Sequence, residues 1–170
     1  MPLKWTIEEF KGTPLRESDI PEGRVLSLRW DANARYAWDA GIAIGRFLRG
    51  LKEGRILGSR CETCRRTVVP PRIVCEWCFR PMTHWVPLQD TGTVQTVSIC
   101  YVNWDASRRR EPEFPAVIAL DGASPGCSIL HILGEVTPQN LRIGMRVQAV
   151  WKPPEERTGA ITDIRFFKPI

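Results

Sequence analysis

The sequence has few of the residues on which catalysis by a single chain most often depends. It contains only two histidines, His84 and His131. Nucleophilic catalysis by cysteine needs a neighbouring base, and Cys127 and His131 are four residues apart. In one extended strand they would lie about 13 Å from each other, too far for direct proton transfer. No Gly-rich phosphate loop occurs either. The sequence therefore argues against catalysis by this chain alone.

Long hydrophobic segments are also missing. No apolar run approaches the ~20 residues that cross a bilayer, and the opening Met1-Pro2-Leu3-Lys4 has no secretion-signal pattern. We therefore expect a cytoplasmic protein without a membrane partner. Its 43% hydrophobic and 25% charged residues are normal for a globular chain. The length of 170 residues fits one ordinary domain, or a small metal module joined to a larger one.

The most informative feature is a set of four cysteines in two close pairs. Cys61 and Cys64 form the first pair, and Cys75 and Cys78 form the second. Two intervening residues allow paired sulfurs to converge on one ion, and the ten-residue spacer can bring the second pair opposite the first. The spacer contains Pro70-Pro71, which can reverse the chain. The spacing predicts a tetrahedral thiolate metal site.

Zinc is the expected metal, at one ion per chain, because four thiolates describe a closed structural site. A rubredoxin-like iron site is the main chemical alternative, and paired disulfides are the third. His84 follows the last cysteine closely, but four thiolates are already available, so a packing or surface role is expected for it. Five arginines next to the cysteines are expected to offset the negative charge of a zinc-thiolate site, namely Arg60, Arg65, Arg66, Arg72 and Arg80.

The first 58 residues divide into an arm and a helical region. Residues 1–30 show no sustained periodicity and form the arm, whereas residues 31–58 contain a helical pattern from Asp31 to Glu53. Its wide apolar surface predicts a helix that buries most of its circumference. Ala37, Gly41 and Gly45 recur every four residues, so one face could admit a partner backbone or a narrow ligand. Ordinary packing against the chain's own sheet is the alternative.

Strand patterns dominate the rest of the chain. Residues 59–86 are expected to form the metal ribbon and residues 87–170 a separate barrel domain. Five segments in the latter are rich in Val, Ile, Thr and aromatic residues and separated by turn residues: Thr93–Trp104, Pro115–Leu120, Ser128–Val136, Arg146–Trp151 and Ile161–Phe167. We predict a mainly β fold with an N-terminal helix, in which a rubredoxin-like zinc ribbon precedes a five-stranded OB-fold barrel.

These features together resemble a known family, the OB-fold and zinc-ribbon proteins called domain of unknown function 35 (DUF35). The resemblance covers roughly residues 34–170. It is carried by the lead-in helix Phe47–Gly58, the cysteine ribbon with Pro70-Pro71-Arg72, the strand entry Gly92-Thr93-Val94, the strand Phe114–Asp121 and the turn Ile143–Val147. One departure from the family pattern is the segment 121–127, which is longer and richer in Pro and Gly than the usual turn.

The resemblance implies a function. Members of this family resemble non-catalytic partners of thiolase-superfamily enzymes and of related aldolases and hydratases in acyl-CoA pathways. It implies an accessory subunit of an acyl-CoA thiolase or acyltransferase complex, with a CoA thioester as a shared ligand and a hetero-oligomeric state. Arg108, Arg109 and Arg110 form a dense basic cluster, which we interpret either as a solvated loop or as a contact for the phosphates of CoA.

Two other functions are compatible with a ribbon joined to an OB barrel. One is nucleic-acid binding, which a sequence pI near 9.1 favours. The strand pattern argues against it, because Thr93 to Trp104 contains Tyr101 and Trp104 but no Lys or Arg, whereas single-strand binders combine aromatic with basic residues. The other is a stand-alone acyl-CoA-binding protein.

Overall fold

The computed structural model describes residues 14–28, 35 and 37–170, in two units that comprise residues 1–37 and 38–170. In the first unit the described residues contain a short 3-10 helix, Glu17–Asp19, and Arg24 Nε donates a hydrogen bond to the Asp19 carboxylate at 2.7 Å. The remainder of the predicted arm lies outside the described residues. Among the residues described, no helix has the length and apolar character that a membrane crossing requires.

The second unit opens with one α-helix, α1 (Gly41–Lys52). Residues 35 and 37–40 are not helical, so the continuous helix predicted from Asp31 to Glu53 is wrong at those positions. The reason is local: Gly41 adopts a positive φ of 64°, and its N–H donates to the Asp39 carboxylate at 2.9 Å. Residues 31–34 and 36 lie outside the described part of the chain.

The helix ends in a Schellman motif. Gly54 has a positive φ of 74°, its N–H donates to the Leu51 carbonyl, and the Arg55 N–H donates to the Gly50 carbonyl. The prediction that the helix buries most of its circumference is wrong. Its buried residues form a narrow stripe that packs mainly on the first strand, and Ile42 and Ile44 are exposed, as is Trp38 before the helix. The buried residues are Ala43, Phe47, Gly50 and Leu51.

A three-stranded antiparallel sheet follows the helix and carries the cysteine ribbon. Its strands are β1 (Ile56–Arg60), β2 (Thr67–Val68) and β3 (His84–Leu88), in the order β2-β1-β3. The first cysteine pair lies in the connection between β1 and β2. The second lies between β2 and β3, flanked by an isolated bridge between Val74 and Pro81. Both pairs are therefore held at the end of the same small sheet.

The remaining strands form a closed OB-fold barrel. They are β4 (Thr91–Val97), β5 (Cys100–Val102), β6 (Arg108–Leu120), β7 (Ile129–Leu133), β8 (Arg146–Trp151) and β9 (Ile164–Pro169). The order is β4-β8-β9-β7-β6, and pairing of β4 with β6 closes the barrel. The short β5 extends one end by pairing with the first half of β6. The predicted fold class is confirmed.

Alternation along the strands builds the barrel core. In β6, Phe114, Ala116, Ile118 and Leu120 are buried, while the residues between them are more exposed. This period of two is the pattern of a strand with one face turned inward. Gly92 in β4 is needed where the strands come close, because a Cβ there would lie 2.5 Å from the Ala119 carbonyl oxygen.

Most of the predicted strands lie where expected, and Arg146–Trp151 has the predicted bounds. The strand predicted from Thr93 to Trp104 is instead divided, because the chain leaves β4 after Val97 and resumes at Cys100. The loop predicted for Arg108–Arg110 is also wrong, since these residues begin β6. β6 extends this far because Val102 of β5 pairs with Arg108 across a hairpin.

Candidate functional site

The two cysteine pairs adopt the same local conformation. In the first, the Cys61 N–H donates to the Arg66 carbonyl at 2.8 Å, and in the second the Cys75 N–H donates to the Arg80 carbonyl at 2.9 Å. The residue after each second cysteine has a positive φ, 55° at Arg65 and 56° at Phe79. This conformation turns backbone N–H groups toward sulfur, as in the Cys64 N–H that lies 3.4 Å from Cys61 Sγ. The chain adopts it without glycine.

The structure brings the four predicted ligands together. Their sulfur atoms all lie within 4.8 Å of one another, and Cys61 Sγ lies 3.5 Å from Cys78 Sγ. A tetrahedral site with metal-sulfur distances near 2.3 Å requires sulfurs about 3.8 Å apart, so the cluster fits an ion such as zinc. Cys61 and Cys75 are buried, whereas Cys64 and Cys78 are half-buried. Bound here, the ion would cross-link the two halves of the ribbon.

The environment shifts the pKa values of Cys64 and Cys75 in opposite directions. A hydrogen bond shared with Cys78, together with burial, raises the pKa of Cys64 to about 12. Backbone N–H groups of Cys78 and Trp77 lower the pKa of Cys75 to about 7. Because a metal binds the thiolate, it has to displace the remaining protons, and its affinity falls as the pH falls.

His84 also lies near the cysteine pairs in sequence, but it is not part of the cluster. It is exposed, and its Nε2 pairs with the Glu62 carboxylate. The expected surface role therefore agrees with its position.

Arg66 connects the ribbon to the barrel. Its guanidinium is buried, lies 3.9 Å from the centre of the Trp77 ring and pairs with Glu76. Its Nη2 also lies 3.3 Å from the sulfur of Cys127, which follows β6 in the barrel. A planar cation that stacks and donates in several directions can satisfy all three contacts at once. The four other arginines next to the cysteines are exposed.

The long segment 121–127 forms the second connection between ribbon and barrel. Ser124 N–H donates to the Thr67 carbonyl at 2.9 Å, and Thr67 N–H donates to Ser124 Oγ at 2.9 Å. The segment has a Gly-x-Ser-x-Gly spacing, but it joins two strands, whereas a nucleophile turn joins a strand to a helix. Ser124 therefore holds the barrel loop against β2 of the ribbon.

Cys127 and His131 have separate partners. Cys127 is buried beside Arg66, whereas Nε2 of His131 lies 3.3 Å from the Ile161 carbonyl oxygen. The imidazole also packs edge-on against Phe167, with ring centres 5.5 Å apart. The two side chains are thus held in different surroundings.

The predicted CoA contacts lie on the β5–β6 hairpin. Arg109 is held there, because its Nη1 donates to Asn103 at 2.9 Å and its Nη2 lies 3.7 Å from Glu113. Arg108 and Arg110 are exposed, and neither forms an ion pair with another residue that the structure describes. Residues two apart in a strand share a face, so these two guanidinium groups lie on the same side of β6.

The predicted small-residue face is open at α1. Ala37 precedes the helix, so only Gly41 and Gly45 belong to it. A Cβ at either glycine would meet no described atom within 4 Å. Neither glycine, therefore, is packed against the described part of the sheet.

A pocket of about 330 Å³ lies between α1 and the ribbon, and sequence analysis did not identify it. We call it the helix–ribbon pocket; its lining is Ile42, Arg46, Ile73, Pro81, Met82, Thr83 and Trp85. Arg46 stacks on Trp85 at 4.9 Å. Ile42 and Ile73 are more than half exposed, at 66% and 53%. Apolar and aromatic side chains combined with arginine at a surface are typical of protein interfaces.

Two family models match successive parts of this chain. A family model for the ChsH2 rubredoxin-like zinc ribbon domain matches residues 49–82. A second, for the ChsH2 C-terminal OB-fold domain, matches residues 85–152. The four cysteines thus fall within a zinc-ribbon domain and are positioned for metal binding.

Individual relatives agree with these matches. A DUF35 domain-containing scaffold protein from Methanocaldococcus jannaschii is 32% identical over 118 residues, which is 68% of this chain and 82% of the relative. A DUF35 crystal structure from Sulfolobus solfataricus has a TM-score of 0.60 at 24% identity, and covers 76% of this chain and 87% of that one. An Ltp2-ChsH2(DUF35) aldolase structure has a TM-score of 0.58 at 20% identity, and the match covers 79% of this chain and 98% of that one. At these identities the two structures support the fold.

Proposed function

Because this chain belongs to the DUF35 family of scaffold proteins, we propose that it is a non-catalytic subunit of an acyl-CoA enzyme complex. Its partner would be a thiolase-superfamily enzyme or a related aldolase or hydratase, and the partner would supply the catalytic groups. This chain would scaffold the enzyme and help to bind or channel acyl-CoA.

The observation that carries the proposal is the relationship to a DUF35 scaffold protein over most of the length of both chains. The similar fold of a ChsH2(DUF35) chain in an aldolase structure supports an enzyme as the class of partner. The surface of α1 supports the same role, since Ile42 is exposed and Gly41 and Gly45 leave space for another backbone.

Zinc would have a structural role in this subunit. Four thiolates from Cys61, Cys64, Cys75 and Cys78 would hold one ion per chain, and the closed ligand set would leave no position for substrate. The ion would stabilise the ribbon that lines the helix–ribbon pocket. A thiolate site of this kind also favours a reducing compartment, which supports a cytoplasmic location.

Arg108 and Arg110 are the candidates for contact with CoA. They are exposed on one side of β6 and free of ion pairs with described residues, as groups that bind the phosphates of a nucleotide would be. Arg109 is better suited to hold the hairpin, because Asn103 and Glu113 already engage it.

A reconstitution experiment tests the proposal. The zinc-loaded chain is co-expressed with candidate thiolase-superfamily enzymes and aldolases of its organism, and the mass of the assembly is measured by light scattering during size-exclusion chromatography. We expect a stable hetero-oligomer that is lost in Ile42→Glu and in Gly45→Phe. Ile143→Glu is the matched control, because Ile143 is 67% exposed and Ile42 is 66% exposed. Assembly that survives both α1 substitutions would exclude this helix as the contact.

A further inference from the structure

A groove of about 540 Å³ opens in the barrel wall between β7 and β9. These strands share a single residue pair, Leu133 with Phe167. Beyond that pair the space between them is lined by side chains of both strands and by the short 3-10 helix Ile161–Asp163. The volume lies in the range of small-molecule sites, about 300–1,000 Å³.

The groove has apolar walls and a positively charged edge. Leu130 and Ile161 are exposed on its walls, and Ile164 is fully buried behind them. Two cationic side chains, Lys152 and Arg165, also line it, and neither forms an ion pair with a residue in the described part of the chain. The groove therefore combines an apolar surface with two positive charges.

Of the other polar groups at the groove, His131 and the adjacent Asp163 already have partners, and Thr162 adds one exposed hydroxyl group. His131 Nδ1 accepts the Ile132 N–H at 2.9 Å, which leaves Nε2 as the protonated nitrogen facing the Ile161 carbonyl. Asp163 attracts Lys152 electrostatically, but its fully buried carboxylate accepts three backbone N–H groups. A ligand would therefore meet apolar side chains, one hydroxyl group and two cations.

From this arrangement we infer that the groove binds a small amphiphilic anion, an apolar body with one carboxylate, of which an alkyl carboxylate is the simplest form. The apolar body would cover Leu130 and Ile161, and the carboxylate would pair with Lys152 or Arg165. An amine of the same shape would be repelled by both cations, and an alcohol would leave them unpaired. The inference does not depend on the proposed partner or on CoA.

Calorimetric titration of the zinc-loaded full chain with dodecanoate, below its micelle-forming concentration, tests the inference. We expect saturable one-to-one binding, weaker for dodecanol and absent for dodecylamine. Replacing both Lys152 and Arg165 with methionine should weaken dodecanoate binding by roughly tenfold, as expected for the loss of charge-assisted contacts. Arg142→Met, elsewhere on the barrel, should leave it unchanged.

A second variant tests the apolar wall without endangering the fold. Leu130 is 69% exposed, so Leu130→Glu should fold normally while its carboxylate repels the ligand; Ile143→Glu, at a residue 67% exposed, is the matched control. Equal binding of dodecanoate to the Leu130 and Ile143 variants would overturn the assignment, as would equal binding of dodecylamine to the native chain. If dodecanoate does not bind and Leu130→Glu instead blocks assembly with the enzyme partner, the groove is a protein interface and the inference is wrong.

Discussion

Replacing Asp163 with asparagine tests how one buried carboxylate holds the turn that packs against α1. Asp163 is fully buried. Its Oδ1 accepts the Thr158 N–H at 3.0 Å, and its Oδ2 accepts the N–H groups of Gly159 and Ala160 at 2.7 and 3.1 Å. The turn also carries Gly159, where an added Cβ would lie 3.4 Å from the Leu48 carbonyl oxygen of the helix.

The size of the effect follows from these contacts. Asparagine has one acceptor oxygen, so it can retain at most two of the three hydrogen bonds, and its NH2 group must face the third donor. Losing a charge-assisted bond and leaving a part-buried N–H without its partner should together cost about 2 kcal/mol, and Asp163→Ala, which loses all three, about 4 kcal/mol. For a chain of this length the asparagine variant should melt roughly 4–8 °C lower.

Urea unfolding of the zinc-loaded protein at neutral pH, followed by tryptophan fluorescence, measures this loss. Asp90→Asn is the matched control, because the Asp90 carboxylate makes only longer contacts with described residues, at 3.4 Å from Gln148 and Trp151. The reasoning would be refuted if the Asp163 and Asp90 variants differed by less than about 0.5 kcal/mol, the usual scatter for neutral surface changes.

Three further predictions concern the metal, the basic cluster and pH. Elemental analysis should find about one zinc per chain. Cys61→Ser should unfold the ribbon, since structural zinc contributes folding free energy on the order of 10 kcal/mol. A fully alkylated chain that still unfolds cooperatively would contradict this role of the metal. Replacing Arg108 and Arg110 with glutamine should raise the KM of the assembled complex for acyl-CoA severalfold and leave kcat nearly unchanged. The reason is that a remote phosphate contact is made equally in the ground and transition states. A fall in kcat alone would count against a CoA contact at these residues. Hydrogen bonds and charge from Arg146 lower the pKa of Asp121 to about 2. The stability that this pair contributes should therefore be present above about pH 4 and be lost as the pH falls toward 2. Acid unfolding of Asp121→Asn should lack this loss of stability between pH 4 and 2.

Local patterns predicted the fold class and the convergence of the four cysteines well. The four cysteines lie close together in the sequence, so their spacing could be interpreted without knowing the rest of the structure. They are Cys61, Cys64, Cys75 and Cys78. The sequence likewise predicts the strand Arg146–Trp151 with its observed bounds, because Val147, Val150 and Trp151 favour a strand. The division into domains at residues 59–86 and 87–170 stays a prediction.

Features that depend on contacts between residues distant in the sequence could not be predicted from it. The Thr67–Ser124 hydrogen bonds join residues 57 positions apart, and no local pattern marks them. The charged run Arg108–Arg110 favoured a loop, because such runs are common in loops. The β5–β6 hairpin instead places these residues in a strand. Periodicity at Ile42 identified an apolar helix surface but could not distinguish burial within the chain from exposure to a partner.

Isolation of the native complex tests the central claim most directly. The tagged chain is purified from its organism at physiological salt after nuclease treatment, and the assembly is analysed by native mass spectrometry with identification of each component. We predict a hetero-oligomer that contains a thiolase-superfamily enzyme or a related aldolase or hydratase and turns over acyl-CoA, while the separated chain does not. Recovery of the chain bound to nucleic acid and to no such enzyme, with affinity that falls steeply as salt rises, would contradict the account.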